Sequence, residues 1–140
     1  MENFERIPHT MRPDHGSYVT VAARALTAQE LDWVQEIVLS NQQWADVEIR
    51  ELRVVAECRC GCRSVVLGKP PEAQNSRLTN HQGLVGQLDL TVRFNAHEDV
   101  ITVLLHFAQG SLSLLEVVWY NFPDPIPSSW EEIGRTVCPG

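Results

Sequence analysis

Leu88-Asp-Leu-Thr-Val-Arg-Phe94 alternates apolar and polar residues, and Val100-Ile-Thr-Val-Leu-Leu-His-Phe-Ala108 and Leu112-Ser-Leu-Leu-Glu-Val-Val-Trp-Tyr120 follow it at short intervals. Successive side chains of a strand point to opposite faces, so the first segment reads as a half-buried strand. The second is almost continuously apolar and reads as an interior strand. Asn95 to Asp99 and Gln109-Gly-Ser111 suit hairpin turns, whereas a parallel crossover needs a dozen or more residues. Three antiparallel strands are therefore expected, at 86–95, 100–108 and 112–121.

Upstream, the period changes to that of a helix. Thr27-Ala-Gln-Glu30 is a capping box, in which the Thr27 hydroxyl takes the Glu30 amide and the Glu30 carboxylate reaches back. Leu31, Val34, Ile37 and Val38 then form one apolar stripe, with Trp33 beside it, and predict a helix over 27–40. Tyr18 to Ala22 and Val47 to Glu57 read as strands, the second needing a one-residue slip at Leu52 that a bulge would supply. Cys58 to Cys62 turns at Gly61, and Ser64 to Leu67 returns. Residues 1–17 read as an extended arm and 68–83 as a long surface loop. Phe122 to Pro127 breaks regular structure, and Ser128 or Ser129 would cap a last helical turn through Trp130 to Ile133. The fold class is thus α+β: an antiparallel β-meander sheet with one main amphipathic helix on a face, in a single domain over 1–140.

Length and composition agree with such a domain. The chain has 140 residues, 44% apolar and 21% charged, and a formal charge of −7. Residues 1–49 hold eight acids and three bases, 50–77 three acids and six bases, and 78–140 seven acids and two bases, giving −5, +3 and −5. Acidic flanks repel nucleic acid and acidic membranes and favour a basic partner. The N-terminus has neither the basic start nor the apolar middle of a signal peptide, and no apolar run approaches the length of a membrane span; a cytoplasmic protein is expected.

Cys58-Arg-Cys60-Gly-Cys62 is the most distinctive stretch. Three thiols so close suggest zinc, which takes four ligands in a tetrahedron. Cys138, His81, His97 and His106 are the candidates for the fourth, and no second C-x-x-C or H-x-x-x-H pair singles one out. The preferred reading is of small apolar side chains packing a hairpin, with no metal, no cofactor and less than about one zinc per several chains in protein purified without added metal. Arg59 and Arg63 would lower a neighbouring thiol pKa and make it a nucleophile, the third alternative. No G-x-S-x-G elbow, phosphate loop or dinucleotide fingerprint occurs, so no enzyme is expected. His97-Glu-Asp99 reads as a solvated turn and His106 as a core-edge residue.

The order of parts resembles that of small bacterial immunity proteins that neutralise polymorphic toxins. The residues that carry it are Leu26-Thr-Ala-Gln-Glu-Leu31, then Cys58-x-Cys-Gly-Cys-Arg-Ser64, then Gly110-Ser-Leu-Ser-Leu-Leu-Glu-Val-Val-Trp-Tyr120 and the Pro-rich tail. This resemblance implies a non-enzymatic protein whose partner is a cognate toxin with a basic cleft. The rival expectation is a small zinc- or thiol-dependent regulatory protein centred on Cys58, Cys60 and Cys62. For a basic partner the candidate contacts are the acids Asp89, Glu98, Asp99, Glu116, Asp124, Glu131 and Glu132. Trp119, Tyr120 and Trp130 are the candidate aromatic anchors, since binding hot spots favour aromatic residues within a charged rim.

Overall fold

The capping box forms as its spacing requires. In the computed structural model, which describes residues 15–44, 49–68, 83–108, 111–121 and 126–140, Thr27 caps helix α1, Ala28–Leu39. Its hydroxyl accepts the Glu30 N–H at 3.1 Å, and the Glu30 carboxylate accepts the Thr27 N–H at 2.9 Å. The buried stripe is rotated from the expected one. Trp33, 1% exposed, takes the place of Leu31 beside Val34, Ile37 and Val38. The larger ring removes more apolar surface from water, so burial decides the rotation.

Among the described residues seven strands make one sheet: β1 Tyr18–Ala25, β2 Arg53–Cys58, β3 Val65–Gly68, β4 Gly83–Phe94, β5 His97–Ala108, β6 Ser111–Trp119 and β7 Glu131–Pro139. Their order is β1-β2-β3-β6-β5-β4-β7, and each pairing is antiparallel. The β4-β5-β6 meander is as expected. The sheet as a whole is not a meander, because β3 pairs with β6 and joins two three-stranded blocks. Gly86, Leu88, Leu90 and Val92 face α1. Gly86 lies against Ile37, and Arg135, opposite Leu90, reaches α1 at Asp32 and Glu36. Gln87, Asp89, Thr91 and Arg93 consequently face the other way.

Three boundaries and one register differ from the sequence reading. Residues 131–139 are a strand on the free edge of β4, not a helical turn after Ser128 or Ser129. Ile133, Thr136 and Val137 are β-branched and Gly134 interrupts them, so local propensity for helix is weak and strand pairing prevails. The turn between β4 and β5 shrinks to Asn95-Ala96, both at positive φ, which moves His97, Glu98 and Asp99 into β5. Asp99 is then 3% exposed rather than solvated, held by Asn121. β2 begins at Arg53, after a turn at Arg50-Glu51, and its register shifts between Val54 and Ala56 rather than at Leu52. Most of the proposed arm and loop, and residues 45–48, lie outside the described residues. Among the described residues no helix is long and apolar enough to cross a membrane.

Candidate metal centre

The turn from Cys58 to Ser64 joins β2 to β3. The Cys58 N–H donates to the Ser64 carbonyl at 3.1 Å and the Gly61 N–H to the Cys58 carbonyl at 3.3 Å. Gly61 and Arg63 both take φ of 80°, which folds the three thiols inward instead of spacing them along a strand. The core fixes this turn from below. Trp119, 0% exposed, donates its indole N–H to the Cys62 carbonyl at 3.0 Å. Ser64 Oγ accepts the Val117 N–H at 2.8 Å and lies 3.1 Å from Cys62 Sγ.

Register supplies the fourth donor. Tyr18 lies opposite Cys58 in the β1–β2 pair, and the Arg59 N–H donates to the Ser17 carbonyl at 2.8 Å. The residues before Tyr18 therefore pass alongside those after Cys58. His15 Nδ1 comes to 3.7 Å from Cys60 Sγ, and Cys60 Sγ is 3.4 Å from Cys58 Sγ. The donor atoms of His15, Cys58, Cys60 and Cys62 all lie within 4.8 Å of one another. A zinc tetrahedron with Zn–S bonds of about 2.3 Å has edges of about 3.8 Å. The four donors match that size with only small side-chain adjustments.

The expected fourth ligands are elsewhere. Cys138 is on β7, at the far edge of the sheet from β1. His97 opens β5 near Phe94, and His106 bonds Glu116 at 3.1 Å. His81 lies outside the described residues. His15 had no signal of its own in the sequence: it sits in a polar, Pro-containing stretch 43 positions before Cys58, and only strand register brings the two together.

The electrostatics oppose a spontaneous thiolate. Burial pushes the Cys60 thiol up, and hydrogen bonding to Cys62 and Cys58 adds to it; burial also raises Cys62. A nucleophilic cysteine needs the opposite shift. Arg63, the expected activator, instead donates to the Pro127 carbonyl at 2.8 Å and stacks over Trp130 at 5.8 Å. Burial, followed by the nearness of Cys58, Cys62 and Glu116, pushes the Tyr18 phenol up to about 12, so it remains a neutral donor beside the cluster. A cation at the centre would favour deprotonation of these thiols. Beside them a cleft of about 770 Å³ opens between α1 and the tail, walled by Trp33, Glu30, Cys60, Arg63 and Trp130.

The remaining candidate contacts divide by face. Asp89, Glu98, Glu116, Tyr120 and Glu131 share the sheet face turned away from α1, by register with Thr102, Arg93 and Leu104. Thr102 Oγ1 links Asp89 at 2.8 Å to the Tyr120 hydroxyl at 3.0 Å. Arg93 bridges Glu98 and Glu131 at 3.2 and 3.9 Å. Glu132 lies on the helix side, bound by Arg135. Asp99 and Trp119 are buried, and Trp130 packs edge-on against Trp119 at 5.2 Å. Asp124 lies outside the described residues. Comparison of the chain with protein-family models, curated proteins and solved structures gave no match.

Proposed function

We propose that this chain is a non-enzymatic zinc-binding protein in which His15, Cys58, Cys60 and Cys62 hold one Zn²⁺. The observation that carries this reading is the convergence of four soft donors from two distant segments to within 4.8 Å of one another. Three thiolates and an imidazole are a ligand set that zinc takes in closed, structural sites. A hydrolytic zinc keeps one position open for water, and four protein ligands leave none. The separation suits a single ion. The ion's role is to fasten the residues before β1 to the β2–β3 turn, at one wall of the 770 Å³ cleft. The expectation of a metal-free protein rested on a missing fourth ligand, and His15 answers that objection. Protein purified from zinc-supplemented culture should carry one zinc per chain by elemental analysis, and His15→Ala or Cys60→Ser should carry much less. Wild-type protein with under about a tenth of a zinc per chain after reconstitution would sink the reading.

A second reading, occlusion of a basic protein such as a toxin, is supported by the sheet face turned away from α1. Val100 and Tyr120 are 42% and 57% exposed there, with Asp89, Glu98 and Glu131 around them. An aromatic centre within a charged rim is the composition of a binding hot spot. The test is co-expression with the product of an adjacent toxin-like gene. Glu98→Lys with Glu131→Lys should slow association and lose protection; full protection at an unchanged rate removes this face from the mechanism.

A further inference from the structure

We infer that Glu116 is the positioning residue for the His15 ligand, and that His106 in turn holds Glu116. The inference rests on the zinc reading and names how the weakest of the four ligands is kept in place. His15 belongs to the segment leading into β1, whereas the three cysteines are built into a tight turn pinned by Trp119 and Ser64. An imidazole at the end of such a segment loses rotamer freedom on binding unless something else already restrains it.

Glu116 is placed to do so. It stands on β6 opposite Leu104, between the apolar neighbours Leu114 and Val118 on the same face, and its side chain is 23% exposed. A carboxylate half removed from water is costly unless charged or polar partners meet it. Two histidines do. Oε2 lies 3.8 Å from His15 Nε2, and Oε1 lies 3.1 Å from His106 Nε2. The opposite ring nitrogen of His15, Nδ1, is the one turned to Cys60 Sγ. The two nitrogens would then divide the work: Nδ1 faces the thiols that would share the metal, while Nε2 lies at ion-pair distance from the carboxylate, a gap that a small turn of either side chain closes to a hydrogen bond. That is the carboxylate–histidine–metal arrangement, which selects the ligating tautomer, fixes the ring plane and makes the imidazole a better donor. His106 occupies the other carboxylate oxygen and keeps the group from swinging away from His15.

The test is the zinc dissociation constant, measured by competition with a chromophoric chelator, with Co²⁺ as a spectroscopic probe of the ligand set. Glu116→Gln keeps the shape of the side chain and removes its charge. Its zinc affinity should fall by about 10- to 100-fold while the thermal midpoint of the metal-free form stays close to wild type. The sulfur-to-cobalt absorption should persist, since the three thiolates remain. His106→Gln, which removes only the clamp on Glu116, should lower affinity in the same direction by less, and it serves if Glu116→Gln folds poorly. Zinc affinity within twofold of wild type in either folded variant overturns the inference. So does a loss confined to the stability of the metal-free form. Wild-type protein that takes up no zinc overturns the zinc reading itself, and is distinguished because no variant is then needed to see it.

Discussion

Arg135 binds three carboxylates at once: Glu132 at 2.6 Å, Glu36 at 2.6 Å and Asp32 at 2.8 Å. Its guanidinium is raised above its ordinary range, first by the hydrogen bond to Glu132 and then, against some desolvation, by those to Asp32 and Glu36. The side chain is 22% exposed, while its partners are 31 to 56% exposed, so screening reduces the worth of each pair. The planar fork still ties β7 to α1, two elements a hundred residues apart in the chain, and leaves three acids facing one another if it is lost. Arg135→Met should destabilise the fold by about 1–2 kcal/mol, more than a single exposed ion pair usually contributes. The check is urea denaturation at low and high salt. The gap between variant and wild type should narrow as salt rises, and a gap independent of salt would assign the loss to packing.

At the scale of elements, the β4–β5 hairpin contains a correctable fault. Asn95 and Ala96 have φ of 50° and 62°, the two positive values that a type I′ turn demands. Asparagine tolerates that region, but alanine pays for its Cβ there by roughly 1–2 kcal/mol. Ala96→Gly should therefore stabilise the protein by about 1 kcal/mol, part of the gain being offset by the greater freedom of glycine in the unfolded chain. Ala96→Val should destabilise it. A shift of the urea midpoint at constant slope measures both. The same hairpin explains a failure of legibility. A five-residue turn is the natural reading of Asn95-Ala-His-Glu-Asp99, because its residues are polar or small and an alanine hides the turn signal that glycine would give. With two residues in the turn, the alternation runs on through Asp99, which falls on the buried face opposite Val92.

At the scale of the molecule, β1 and β7 are the sheet's two edges, and both ends of the described chain are anchored there. The zinc reading makes one of those anchors metal-dependent. Chelation should lower the thermal midpoint by roughly 3–5 °C for each kcal/mol of metal binding lost, and added zinc should restore it. Sequence by itself determined the capped helix, the three long antiparallel strands and the turn at the cysteines, because each depends on contacts between near neighbours: a hydroxyl three residues from an amide, a period of two, a glycine at positive φ. It also singled out Cys58, Cys60 and Cys62 as the most distinctive stretch, while favouring a packing role for them over a metal site. Tertiary structure alone decided the rest. The strand at 131–139 exists because β4 offers an edge to pair with, and Trp119 is core because β6 has neighbours on both sides. His15 joins the cysteines because Tyr18 pairs with Cys58 across forty residues of sequence. Register between distant strands is set by which faces can be buried together, and no local pattern encodes that.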